Sequence, residues 1–321
     1  MLNTTVPSLT SASQQVVISL GFCLLVAGSI GNPLTLIVFL SLQTFRQSSC
    51  AFYLTVMSFI NIFHLFTGLF THIMIYGFNI NWLNMSVVYC KFRPFYVQLC
   101  AMSSSSCMCL ATIDQFLATC SSPRCQQLCN IKLARRLVIG LIIIWFGCGI
   151  SFLIYYDHMG SDPVVCDITN RAFKKFNGVF YSPFVMSILP MMIMILFAIL
   201  AYRNIQQIAY RTVPLVRREL DKQLTTMVLV HVIYAAISVT PGAIFNLFKT
   251  FYPSIDNQNI TEQLRCAKSL TTTVYYFNHM GSLYIYVCVS KRFRQQLLYV
   301  LSTICFKRYP PGNPNQIKPE T

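Results

Sequence analysis

The sequence predicts an all-α membrane protein, a bundle of seven transmembrane helices with its N-terminus outside, and three observations carry that prediction. Charge is scarce: 10% of the 321 residues are Asp, Glu, Lys or Arg and 55% are hydrophobic, whereas soluble domains carry about 25% charged residues. Charge is also segregated, with none in 1–45, 47–90, 94–113, 137–156, 176–202, 223–248 or 269–290. A helix crossing a bilayer needs about 20 mostly apolar residues, because in hydrocarbon a backbone must satisfy its own hydrogen bonds. Finally, the basic residues are lopsided. Arg46; Arg124, Lys132, Arg135 and Arg136; Arg203, Arg211, Arg217, Arg218 and Lys222; and Lys291, Arg292, Arg294, Lys307, Arg308 and Lys318 all fall in the odd-numbered connections and the tail. The positive-inside rule places those segments in the cytoplasm.

The elements follow in order. A Ser/Thr-rich lead, 1–15, has no basic n-region, so it reads as an extracellular N-terminus and not as a cleaved signal. Helices are then expected over roughly 16–41, 50–76, 90–120, 134–156, 178–208, 219–249 and 266–290, which makes 16–290 the membrane domain. The connections are short, so sequential helices are neighbours in one bundle. The longest external one, 157–177, carries Gly160, Pro163 and Cys166 and suits a turn-rich or hairpin lid. Pro190 and Pro241 lie inside apolar helices and should kink them. Over 291–303, Phe293, Leu297, Leu298 and Leu301 recur at helical spacing against a basic face, so this segment should lie along the inner leaflet. A cytoplasmic tail, 304–321, closes the chain; Cys305 within it is either palmitoylated or an unmodified thiol.

Two further signals bear on orientation. The sequons at Asn3, Asn84 and Asn259 all fall on the outer side and are candidate glycosylation sites. Of 14 cysteines, only Cys90, Cys166 and Cys266 lie at or beyond the outer face, where disulfides persist. A net charge of +15 placed in this way suits anionic inner-leaflet lipid and an intracellular partner; nucleic acid is not expected. Asp114 is the sole membrane-embedded acid, and it sits at the cytoplasmic edge. No nucleophile–base set is indicated, so the chain does not read as an enzyme. His64, His72, His231 and His279 suit packing or pocket lining better than metal binding, since no acid accompanies them; no metal or other cofactor is expected. Asn32, Asn61, Ser104 and Asn278 suit hydrogen bonds between helices, and Ser103–Ser106 suits close packing. Intramembrane charges, broken helices and repeats, which mark transporters, are not evident.

The ordered set of residues resembles the rhodopsin-like (class A) G-protein-coupled receptors over nearly the whole chain. It comprises the pair Gly31-Asn32, Cys90 at the outer end of the third helix with Asp114-Gln115-Phe116 at its inner end, Trp145, Pro190, Pro241, and Tyr286 followed by Ser290-Lys291-Arg292-Phe293-Arg294. The end of the seventh helix is most like invertebrate neuropeptide and orphan chemosensory-type receptors. Several switch positions depart from the family pattern. Asn61 replaces its Asp, Gln115-Phe116 follows Asp114 where the family has Arg-Tyr, Ser238-Val239-Thr240-Pro241 replaces Cys-Trp-X-Pro, and Ser282-Leu283-Tyr284-Ile285-Tyr286 replaces Asn-Pro-X-X-Tyr.

The resemblance implies a Cys90–Cys166 disulfide, a plasma-membrane location, an extracellular peptide or small-molecule ligand, and a heterotrimeric G protein as partner. It places the ligand between helices two, three, five, six and seven, with His72, Val97, Gln98, Ser182, Asn246, Lys249, Lys268, Thr272 and Tyr276 as candidate contacts. It assigns the inner switch to Asp114, Gln115, Phe116, Asp221 and Tyr286, with Asp221 facing Gln115 or turned toward Arg218. No acid stands in the outer third of the third helix, which disfavours an amine ligand; the outer Lys and Arg residues lean toward a ligand of acidic character. Two alternatives stay open: a receptor-like scaffold that binds ligand without normal G-protein coupling, and a small-solute channel.

Overall fold

The computed structural model describes residues 5–160, 164–208, 215–251 and 258–306; no side chain is described at 5–10, 208, 215–221, 250–251, 258–259, 261 or 303–306. Seven helices form the bundle: α1 (Thr5–Ser41), α2 (Ser49–Tyr76), α3 (Val87–Thr119), α4 (Ile131–Tyr155), α5 (Arg171–Gln207), α6 (Leu215–Phe251), and α7 in two pieces, Gln258–Met280 and Ser282–Val289. An eighth, α8 (Lys291–Phe306), follows. Of the described helices, α1 to α6 are each long and apolar enough to cross a membrane. α7 is more polar and packs against α1, α2 and α6. α3 is the central column, touching α2, α4, α5 and α6.

Several features differ from the expected helices, among them the start of α7 at Gln258 in place of 266. α1 reaches back to Thr5, into the polar lead: Pro7 sits in the first turn, where its missing N–H would have no partner anyway, and Ser8–Gln15 contains no breaker. α5 begins at Arg171 and runs as a wide π-type helix over Asn177–Ile188 around Pro183, a proline with no N–H to give the regular ladder. α7 breaks at Gly281 with no proline nearby. There the Phe277 carbonyl accepts from Gly281 N at 3.0 Å and from the Tyr234 hydroxyl at 3.0 Å. A Cβ on Gly281 would lie 2.3 Å from the Tyr234 ring, so α6 can approach the break only because residue 281 is glycine.

Helix starts are fixed locally. Ser48, Ser86, Asn130 and Asn170 each accept a hydrogen bond from a backbone N–H in the first turn of the helix they precede, as good N-caps do. The outward faces of α4 and α5 stay apolar, with Ile143, Ile154 and Met192 more than 60% exposed, as contact with lipid requires. The inner half of the bundle closes around aromatic rings: Phe39 lies 5.3 Å from Phe45, 5.7 Å from Tyr286 and 5.5 Å from Phe293, all edge-on. Phe293 thereby seats the start of α8. Gln296 Nε2 donates to Ser41 Oγ at 2.8 Å, and Arg294 Nη1 caps the Val287 and Cys288 carbonyls at 2.9 and 3.1 Å.

On the outer side, β1 (Tyr156–Met159) and β2 (Val165–Ile168) pair antiparallel, with His158 opposite Cys166. A Cys90–Cys166 disulfide with Cα atoms 5.7 Å apart pins this hairpin to the top of α3. Asn84 Oδ1 accepts from Cys166 N at 3.1 Å, and a His158 Nε2 contact to the Leu83 carbonyl at 2.7 Å adds a second tie. Lys91 Nζ reaches Asp157 at 2.9 Å. The Lys91 ammonium beside Asp157, with the His158 N–H, holds that carboxyl below its ordinary value of 3.8.

Candidate functional site

Beneath this hairpin a cavity of about 260 Å³ opens between α3, α5, α6 and α7. α3 contributes Arg93, Val97, Ala101 and Ser105, four residues apart and therefore stacked on one face of the helix, with Met102 beside them. Facing them are Ser182 and Met186 from α5, Val239, Ala243 and Asn246 from α6, and Lys268, Thr272, Tyr275 and Tyr276 from α7. Apolar and aromatic walls with a few polar groups are the usual make-up of a small-molecule site.

Of the nine contacts expected from the sequence, Val97, Ser182, Asn246, Lys268, Thr272 and Tyr276 line this cavity, and His72, Gln98 and Lys249 do not. His72 is buried between helices, its Nε2 3.1 Å from both the Ser269 carbonyl and Thr273 Oγ1, so it fastens α2 to α7. Gln98 follows Val97, about 100° further round the helix, and lies outside the Arg93–Val97–Ala101–Ser105 row that lines the cavity. Gln98 points the other way and donates to the Tyr181 hydroxyl. Lys249 is exposed at the outer end of α6. Arg93 was not among the candidates; the four-residue spacing Arg93–Val97–Ala101–Ser105 is the signal that finds it.

Below the main cavity, and sharing Ser105, Met186, Val239 and Tyr275 with it, lies a small chamber of about 20 Å³ lined by Asn61, Ser104, Asn278 and His231. Asn61 ties three helices together: its Oδ1 accepts from Ser104 Oγ at 2.7 Å and sits 3.0 Å from His279 Nδ1. Asn32 Nδ2 donates to the His279 carbonyl at 3.0 Å and to that of Gly28, adding α1. The His64 and His279 rings lie 4.3 Å apart, both buried. Ser106 Oγ accepts from Trp145 Nε1 at 2.9 Å, joining α3 to α4.

At the cytoplasmic end, Asp114 Oδ1 accepts from Ser49 Oγ at 2.7 Å, a link to α2. Gln115 is buried and its Oε1 accepts from Thr225 Oγ1 on α6 at 2.7 Å. Thr225 lies one helical turn beyond Asp221, whose side chain, like that of Arg218, is outside the described residues. The Phe116 ring meets that of Phe197 of α5 at a tilt, centroids 5.5 Å apart. Tyr286 is fully buried and its hydroxyl lies 3.1 Å from His231 Nδ1. Gln223 Oε1 accepts from Ser290 Oγ at 2.9 Å and from Arg292 N at 3.3 Å. Among the described side chains, the inner half of α6 is thus fastened to Gln115 on α3, Tyr286 on α7 and Ser290 at the α7–α8 junction. Sequence reading gave His231 a packing or pocket-lining place, and it lines the chamber; it missed Thr225 and Gln223, because nothing in their spacing singles them out before the helices are packed.

Asn3 lies outside the described residues, as do the side chains of Asn259 and Cys305. Among the described residues no group of three or more His, Cys, Asp and Glu is placed to hold a metal ion. The family model for the 7 transmembrane receptor (rhodopsin family) matches residues 31–286. No curated protein matches the chain.

Proposed function

Because the chain belongs to the rhodopsin family of seven-transmembrane receptors, we propose that it turns binding of a small extracellular ligand in the outer cavity into activation of a heterotrimeric G protein at its cytoplasmic face. It is a multi-pass membrane receptor and not an enzyme, and its family binds extracellular ligands and G proteins. The observation that carries the finer reading is the cavity of about 260 Å³ under the disulfide-pinned hairpin. Pockets for drug-sized ligands measure about 300–1,000 Å³, so a cavity just under that range suits a compact organic molecule better than a whole peptide. The cavity also adjoins the chamber lined by His231, the residue that meets Tyr286. A ligand pressing on Val239 and Tyr275 therefore bears on the same stretch of α6 and α7 that the inner fastenings hold. The proposal includes plasma-membrane residence, a glycan on Asn3 and membrane attachment of α8, with Cys305 as its candidate lipid anchor.

A second reading, a receptor that binds ligand without normal G-protein coupling, is favoured by one feature. Gln115 stands where the family carries an Arg, and it is engaged by Thr225. A second-messenger screen in cells separates the two readings. The coupling reading expects a ligand-driven response that Ala243→Trp, which fills the cavity wall, abolishes at equal surface expression. Binding with no response under any G protein would establish the second reading.

A further inference from the structure

The lining of the outer cavity specifies the charge of its ligand, an inference that rests on that cavity being the ligand site. We propose that the ligand is a small organic acid, ionised at neutral pH, whose anionic head pairs with Arg93 and whose apolar body lies against Met102, Met186 and Val239. The sign comes first. The charged groups in the lining are Arg93 and Lys268, and no Asp or Glu accompanies them. The acids of the hairpin above are engaged elsewhere: Asp157 meets Lys91 at 2.9 Å and Asp167 meets Lys174 at 2.5 Å. Among the described residues, neither Arg93 nor Lys268 has an acidic partner within salt-bridge distance.

Arg93 is also held in place. Its Nη2 donates to the Gly68 carbonyl at 3.3 Å, while its Nε is buried and makes no hydrogen bond among the described residues. Gly68 sits in the π turn Leu65–Leu69 of α2, a local widening that recurs at functional sites. A Cβ there would come 2.5 Å from the Tyr276 hydroxyl oxygen, so glycine lets Tyr276 and the Arg93 guanidinium share this corner of the cavity. A guanidinium stays charged at any physiological pH, and burying part of it beside a low-dielectric wall is unfavourable unless an anion pairs with it. Its planar fork matches a carboxylate in two parallel hydrogen bonds. Lys268 is exposed at the rim, where it attracts an anion but is screened by salt.

The test is the thermal unfolding of the purified full-length receptor in lipid nanodiscs, with hexanoate and phenylacetate as probes. Hexanamide and phenylacetamide serve as uncharged isosteres, hexanesulfonate and hexyl phosphate as other anions. The proposal expects an anion-dependent rise in unfolding temperature that the amides do not reproduce. Arg93→Gln should weaken it about thirtyfold or more in apparent affinity, with a smaller loss in Lys268→Gln. Which anion stabilises most identifies the head group. Stabilisation by amides and anions alike, anion effects that survive Arg93→Gln, or no effect of any anion overturns the proposal. Ala243→Trp separates the two levels of the argument. If it removes the effect of a neutral probe that Arg93→Gln leaves intact, the cavity is the ligand site and only the charge assignment fails. If probes stabilise Ala243→Trp as they do the parent, the cavity reading itself fails.

Discussion

Gln115 shows how a single side chain sets the strength of the inner fastening. Its Oε1 accepts from Thr225 Oγ1 at 2.7 Å with both groups buried, a neutral bond worth about 0.5–1.5 kcal/mol net. Removing the hydroxyl alone leaves the amide oxygen unsatisfied, at a cost of about 1–3 kcal/mol. If the bond belongs to the resting state, Thr225→Val should raise ligand-independent signalling roughly fivefold or more, measured as second messenger per receptor at the surface. Unchanged basal output would remove this bond from the switch. Gln115→Arg should act in the opposite sense, because charge-assisted bonds are about twice as strong as neutral ones. Gly68 gives a residue-scale test of the outer site. In Gly68→Ala the new Cβ meets the Tyr276 hydroxyl at 2.5 Å, and such overpacking costs about 1–3 kcal/mol. A drop in unfolding temperature together with weaker anion binding is expected; a variant that stabilises and binds like the parent would contradict the packing argument.

Among the elements, the outer hairpin depends on the disulfide, the Asn84 amide and the Lys91–Asp157 pair. Asp157 is held below its ordinary value of 3.8, so its contribution is present above that value and is lost as pH falls through the lowered one. Protection of the amides in 156–159 and 165–168 against hydrogen exchange, relative to their intrinsic rates, should therefore hold down to about pH 4 and fall only below it. In Lys91→Ala it should already be lower at neutral pH. Equal protection in the two proteins would mean that the pair orders nothing. Cys166→Ala opens a loop of 76 residues and should cost about 2–5 kcal/mol of stability. The elements also show what the sequence made legible. The first six spans could be read because hydrocarbon tolerates almost no charge, so each left a charge-free run. The outer turns of α7, Gln258–Arg265, could not, because they are polar and project past the apolar zone. Nor could the π stretches in α2 and α5, since a reading based on regular helical period has no signature for them. At the site, outer-half positions such as Val97, Asn246 and Tyr276 were accessible, whereas Arg93 looked like one more lysine-like residue at a helix end until its spacing with Ser105 was set on the packed bundle.

At the scale of the whole molecule, orientation and coupling are what must hold together. The sequons differ in availability. The Asn84 amide accepts the Cys166 N–H at 3.1 Å, and Ser86 of the same sequon caps α3, so both residues are already in structural use. Asn3→Gln should therefore remove the glycan-dependent shift on electrophoresis, while Asn84→Gln should leave it and lower the unfolding temperature instead. Absence of any glycan on Asn3, with a residue-1 tag reached only after permeabilisation, would reverse the assigned topology. The central claim is that occupancy of the outer cavity is read at the inner ends of α3 and α6. Its most direct measurement is nucleotide exchange on purified heterotrimeric G proteins of each class, using membranes that carry the parent, Ala243→Trp or Thr225→Val and the organic acids that stabilise the parent. The account predicts exchange driven by an acid in the parent, no ligand-driven exchange in Ala243→Trp, and raised exchange without ligand in Thr225→Val. Acid-driven exchange that persists in Ala243→Trp, or no exchange above empty membranes in any of the three with any G protein, would contradict it.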